Sequence, residues 1–153
     1  MIDDKELHIT RRHLPHWTVK GATYFITSRT KEGKLSTEEQ KLVLKHIVEG
    51  GDKFYFLIAA VVMPDHVHLL LTPQGEYSLS RIMKGIKGVS ARKINMERKK
   101  TDRNVCSTDA DTGFIWQEES FDRIVRDQDE LNEKIKYMMN NPVKAGLINN
   151  PWD

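Results

Sequence analysis

His66-Val67-His68 lies in the run Val61-Val-Met-Pro-Asp-His-Val-His-Leu-Leu-Leu71, which reads as strand on either side of a Pro-Asp break. Side chains alternate across a strand, so both imidazoles face one side of a sheet while Val67 and Leu69 face the other. Two nitrogen donors on one face can share a divalent metal, and a metal beside a sheet can polarise a phosphate. The plainer reading is two partly exposed histidines at a strand start. A working site also needs at least one further ligand from elsewhere.

The C-terminal region offers that ligand. A helix is expected from Asp127 or Asp129 to about Asn140, with Leu131, Ile135 and Met138 as its apolar stripe, and Pro142 disfavours helical geometry at Asn141. At 100° per residue, Tyr137 falls about 120° and Asn141 about 80° from Leu131, on the same side. One turn apart, they can face one target together. Off the stripe, the Tyr137 hydroxyl is left available for chemistry. The competing reading is a surface tyrosine lying on the protein and an asparagine that caps the helix before a proline.

These residues need a scaffold, and the rest of the chain reads as one. Ala22–Arg29 is β-branched and aromatic and forms a first strand, followed by a turn around Gly33. Ser36 or Thr37, with Glu38 and Glu39 next, opens a helix that carries Leu42, Val43, His46 and Ile47 on its core side and stops at Gly50-Gly51. Phe54–Met63 is a second strand, joined by the short Pro64-Asp65 break to a third at His66–Thr72, as in a hairpin. Ser78 caps a helix with Leu79, Ile82, Met83, Ile86, Val89 and Ile94 at helical spacing. Residues 99–112 read as a mobile loop and Gly113–Gln117 as a fourth strand. Residues 1–20, with His8, His13 and His16, read as an irregular arm. The order matches an α+β, ferredoxin-like split βαβ sandwich: an antiparallel sheet with helices on one face, plus a C-terminal helix carrying the tyrosine.

The chain has 153 residues, 39% hydrophobic and 30% charged, which favours one soluble globular domain over 1–153. No apolar run approaches the ~20 residues of a membrane span. The acidic start is unlike a secretory signal, and a single cysteine, Cys106, fits a reducing, cytoplasmic setting. Net charge is only +2, but Arg81–Arg103 holds nine Lys/Arg against Glu97 and Asp102, a local +7 that leaves −5 for the remainder. Such a segment suits a polyanion, and Arg81, Lys84, Lys87, Arg92 and Lys93 share its outer face. A solvated helix face explains the same pattern. Gly85 and Gly88 within it suggest close packing on the sheet or room for a bound strand of polyanion.

Five segments resemble one family: Arg12-His-Leu-Pro-His-Trp17, Ala22-Thr-Tyr-Phe-Ile-Thr27, Met63-Pro-Asp-His-Val-His-Leu-Leu-Leu71, Trp116-Gln-Glu-Glu-Ser-Phe-Asp-Arg-Ile-Val-Arg126 and Tyr137-Met-Met-Asn-Asn-Pro-Val-Lys-Ala-Gly-Leu-Ile148. In this order they resemble the REP-associated tyrosine transposases, which belong to the single-tyrosine HUH transposases, over nearly the whole chain. The resemblance implies that His66 and His68 are the HUH pair, holding Mg2+ or Mn2+ against a scissile phosphate of single-stranded DNA. It makes Asn141 the third metal ligand and Tyr137 the nucleophile, leaving a 5′-phosphotyrosine link and a free 3′-hydroxyl. A phenol, with a pKa of ~10, is a weak nucleophile near neutrality, so activation beside a metal fits this chemistry.

Under this reading the partner is single-stranded or hairpin DNA, bound by a monomer or a homodimer. Arg12, Arg81, Lys84, Lys87, Arg92, Lys93, Arg123 and Arg126 are the candidate backbone contacts, with binding that weakens steeply with salt. Arg123 and Arg126 fit salt bridges with Asp127 and Glu130 equally well. Trp17, Trp116 or Phe121 could stack on bases, although buried aromatics are commoner. The chain ends at Asp153 where many members continue, so a C-terminal extension is expected to be short or missing. The alternative is a domesticated DNA-binding protein with weak or no cleavage. A third class, the two-histidine phosphoesterases, requires His-x-Thr/Ser motifs and is set aside here.

Overall fold

The structure, a computed structural model, describes residues 7–11, 15–19, 21–101 and 115–144. Its elements run β1 (Leu7–Arg11), β2 (Pro15–Val19), β3 (Tyr24–Arg29), α1 (Thr37–Gly50), β4 (Tyr55–Val62), β5 (His66–Pro73), α2 (Leu79–Thr101), β6 (Phe121–Ile124) and α3 (Gln128–Lys144). β3 to β6 form one sheet in the order β4-β5-β3-β6, and every neighbouring pair is antiparallel. With α1 and α2 as the crossovers, this is the ferredoxin-like sandwich that the element order predicts.

Period-two alternation splits the sheet into two apolar faces. Tyr24 and Ile26 of β3 and Val67, Leu69 and Leu71 of β5 point to α1 and α2, where they pack with Val43, Ile47, Ile82, Ile86 and Ile94. On the opposite face Phe25, Leu70 and Met138 form a second cluster with Leu131 and Ile135 of α3. A bulge between Leu57 and Ala59 resets the alternation of β4. Leu57, Ala60 and Val62 therefore serve the first cluster, and Ile58, Ala59 and Val61 the second. The sheet is sandwiched between α1 and α2 on one side and α3 on the other.

Helix starts follow their local chemistry. Ser36 Oγ accepts from the Glu39 amide and Ser78 Oγ from the Arg81 amide, both at 3.2 Å. Asp127 caps α3 by accepting from the Glu130 amide at 2.8 Å, and Glu130 reaches back to the Arg126 amide at 2.9 Å. α1 ends at Gly50 as expected, with Gly51 as its cap.

Four local expectations are corrected. The N-terminal arm is not wholly irregular: β1 and β2 pair antiparallel, from Leu7 against Val19 to Arg11 against Pro15. The fourth strand of the sheet is Phe121–Ile124; of the expected Gly113–Gln117, residues 113 and 114 lie outside the described residues and Trp116 makes an isolated bridge to Thr30. Ile115 and Trp116 are apolar because they are core side chains, and the Trp116 indole donates to Ser90 Oγ of α2 at 2.9 Å. α2 runs on to Thr101, into the span read as loop. α3 passes Asn140 and continues to Lys144. Pro142, so near the helix end, forfeits one backbone hydrogen bond and does not break the helix. Among the described residues no helix is long and apolar enough to cross a membrane.

Candidate active site

β5 delivers His66 and His68 to the α3 face of the sheet, beside Thr27 of β3, which pairs with His68 in the register. The two imidazoles lie 4.7 Å apart between ring centroids. His68 is buried, 4% exposed, and both its nitrogens are engaged. Its Nδ1 lies 2.9 Å from Thr27 Oγ1 and its Nε2 2.9 Å from the Asn141 amide nitrogen. An amide nitrogen only donates, so Nε2 accepts and the proton sits on Nδ1, directed at the Thr27 oxygen. Desolvation, reinforced to a lesser extent by electrostatic repulsion from His66, Arg29 and Lys134, pulls the His68 pKa down to about 4. The ring is therefore neutral at pH 7, with its Nε2 lone pair turned toward Asn141. His66 Nδ1 is tied to Asp65 Oδ1 at 2.6 Å, and that contact lowers the Asp65 pKa.

α3 brings the other two predicted residues to the same place. Its stripe packs Met138, fully buried, onto Phe25 and Leu70, which turns Tyr137 and Asn141 toward the histidines. The Tyr137 ring meets His68 edge-on at 5.4 Å and Phe25 at 6.2 Å, and remains 48% exposed. Had α3 ended at Asn140, Asn141 would have left this face; the extra turn keeps it there. An open groove of ≈ 420 Å³ runs across the site, lined by Phe25, Thr27, Arg29, His68, Phe121, Lys134 and Tyr137.

The donor set suits a divalent cation. His66 and His68 are each held at Nδ1 by an oxygen, the outer-sphere arrangement that aims Nε2 at a metal. Asn141 adds an amide whose oxygen and nitrogen exchange by a half-turn. Among the described residues no group of three or more His, Cys, Asp or Glu could hold a metal, so those side chains alone do not complete a site there.

The residues predicted to contact DNA are dispersed. α2 covers the opposite face of the sheet from Tyr137, with Arg81, Lys84 and Arg92 exposed. The Arg81 guanidinium lies 5.2 Å from the Tyr77 ring centre. Lys87 is half-buried and donates to the Glu118 carbonyl at 2.9 Å and to Ser120 Oγ at 3.2 Å, and burial lowers its pKa. Lys93 faces His46, whose pKa falls through burial and then through this charge. Arg123 pairs with Glu130 at 2.7 Å, while Arg126 is exposed. Arg12, Cys106 and the side chain of Trp17 lie outside the described residues. A Cβ at Gly85 or Gly88 would meet open space, so close packing does not explain either glycine. Trp116 is buried and closed to bases, whereas Phe121 is 56% exposed at the groove.

The sequence reading missed Thr27, Asp65, Phe25, Arg29 and Lys134. A signal existed for most of them. Phe25, Thr27 and Arg29 alternate along one strand, and Lys134 precedes Tyr137 by one helical turn.

The family model for IS200-like transposases matches residues 19–141, a span containing both histidines, Tyr137 and Asn141. The chain belongs to the IS200-like transposase family. Within it, the transposase is 25% identical over 134 residues to the REP-associated tyrosine transposase of Escherichia coli (strain K12), covering 85% of this chain and 72% of that one. It is also similar to a Haemophilus influenzae protein provisionally given the same name, at 27% over 92 residues, 60% of this chain and 51% of the relative. In fold it resembles a solved REP-associated tyrosine transposase bound to a REP hairpin, with TM-score 0.60, 23% identity and coverage of 93% and 76%. The family match makes this chain an IS200-like transposase enzyme. The His-x-Thr spacing of two-histidine phosphoesterases does occur here, at His8-Ile9-Thr10 and His16-Trp17-Thr18. That class is set aside by the family match, not by absence of the motif.

Proposed function

We propose that this transposase nicks and rejoins single-stranded DNA beside a hairpin, using Tyr137 as nucleophile. The observation that carries the reading is the convergence on His68 of Tyr137, at 5.4 Å between rings, and Asn141, at 2.9 Å. The names of the relatives supply the hairpin: both curated relatives are called REP-associated, and the solved neighbour holds a REP hairpin.

In the proposed step Tyr137 Oη attacks phosphorus and gives up its proton. A new bond joins the 5′-phosphate to tyrosine, the bond from phosphorus to the 3′-oxygen breaks, and that oxygen leaves as a 3′-hydroxyl once protonated. Tyr137 is half-exposed, so its proton has a route to solvent. Because the phosphodiester energy is kept in the tyrosyl ester, a 3′-hydroxyl can reverse the step and join strands without ATP. His66, His68 and Asn141 would hold Mg2+ or Mn2+, which offsets charge on the phosphoryl oxygens. Thr27 and Asp65 keep the two imidazoles oriented for that role.

Incubation with hairpin oligonucleotides bearing single-stranded flanks, in the presence of Mn2+, should give a protein–DNA adduct that survives SDS. Tyr137→Phe should abolish the adduct, and His66→Ala should suppress it while retaining DNA binding. An adduct that persists in Tyr137→Phe removes the nucleophile assignment. Binding with no adduct on any hairpin supports the domesticated DNA-binding reading instead.

A further inference from the structure

The cations that face the groove are not those a basic stripe would select. Arg29 ends β3 opposite His66 in the sheet register, and Lys134 stands one turn before Tyr137 on α3. Both line the groove with Tyr137 and His68; among the described residues no carboxylate lines it, and the Arg29 charge acts on the nearby Asp65 carboxylate without an ion pair. Among the described residues neither Arg29 nor Lys134 is ion-paired, whereas Arg98 is paired with Glu39 and Arg123 with Glu130, and Lys87 is tied by hydrogen bonds to the Glu118 carbonyl and Ser120 Oγ. Lys134 Nζ lies 4.9 Å from the centre of the Phe25 ring, a cation–π contact that keeps a flexible ammonium over the groove. Two unpaired cations along one groove repel each other, and an anion lying between them relieves that repulsion.

We propose that Arg29, from the sheet, and Lys134, from the helix, form a two-point clamp on the DNA backbone that holds phosphate oxygens of the single strand against Tyr137. The division of labour follows their chemistry: the planar guanidinium can grip two phosphate oxygens, and the ammonium acts as a point charge. The clamp rests on the single-stranded DNA reading above and gives it a specific phosphate subsite. It also accounts for a catalytic face that lacks the α2 stripe, since the groove carries its own positive charge.

The test is fluorescence anisotropy of labelled oligothymidylate with the full chain, across a decade of salt, in the Tyr137→Phe background. Each lost phosphate contact should flatten the plot of log affinity against log salt by ~0.7, which at 0.1 M salt is about fivefold in affinity. Lys134→Gln and Arg29→Gln should each show that change, and Lys134→Arg should restore the slope. Lys45→Ala, which removes an exposed α1 cation, should leave it unchanged. Thermal melts show whether each variant is folded. If Lys134→Gln and Arg29→Gln keep the parent slope, the clamp is wrong, while adduct formation by the wild-type chain would still stand. If the parent binds no single strand, the DNA reading itself fails and the clamp with it.

Discussion

Thr27→Val isolates the orientation of His68 from every other property of the site. Valine keeps the shape and strand preference of threonine and deletes one oxygen, the one 2.9 Å from His68 Nδ1. His68 is 4% exposed, so water cannot easily replace the lost acceptor. Two outcomes are open to the ring. It can keep its proton on Nδ1, leaving a buried donor unpaired at a cost of about 1–3 kcal/mol. Or it can move the proton to Nε2, which then neither accepts from Asn141 nor offers a lone pair to a metal. Either way the metal site weakens, and outer-sphere losses of this kind run to about 10–100-fold in affinity, or ~1.4–2.7 kcal/mol. Free Mn2+ measured by electron paramagnetic resonance during titration reads the affinity without DNA, and urea unfolding reads the stability. Equal Mn2+ affinity in Thr27→Val and wild type would refute the tautomer argument. Lower affinity with unchanged stability would favour the proton shift.

Other consequences follow from the same contacts. Gly50→Ala should destabilise the fold by about 1–3 kcal/mol in urea melts, because a Cβ there would sit 2.5 Å from the buried Tyr55 hydroxyl, which donates to the Ile47 carbonyl. The Arg126 amide, then the Arg123 charge, lowers the Glu130 pKa, so that carboxylate stabilises the fold above its unfolded pKa and the gain disappears as pH falls through the folded value. Glu130→Gln should therefore lower the unfolding free energy from urea melts at pH 7 by about 1 kcal/mol, the size of a helix-capping loss, and the gap to wild type should shrink on acidification. Lys87→Met should speed amide exchange over 118–121 and leave the buried core of α2 protected, since its ammonium ties that segment to the helix.

The site was more legible than its surroundings. Alternation along β5 told which face His66 and His68 share, and the helical angle of Tyr137 and Asn141 put both on one side, because each inference needs only local geometry. What failed needed long-range information. Hydrophobicity marked Ile115 and Trp116 as strand, but burial against α2 explains them equally well, and the true edge strand, Phe121-Asp-Arg-Ile124, has a weak pattern. Charge density found a basic face on α2 without revealing that the helix covers the side of the sheet away from Tyr137. Arg29 and Lys134 lie outside the basic segment Arg81–Arg103, so charge density did not select them. At Pro142 the local rule gave a stop, and the helix nonetheless continues to Lys144.

The most direct measurement is a map of the covalent link. Trypsin cleavage after Lys136 and Lys144 releases Tyr137–Lys144, which holds one of the four tyrosines of the chain. After reaction with hairpin DNA and Mn2+, followed by nuclease trimming, mass spectrometry should find a nucleotide joined through its 5′-phosphate to Tyr137 in that peptide. A nucleotide on Tyr24, Tyr55 or Tyr77, or on any other residue, would contradict the account.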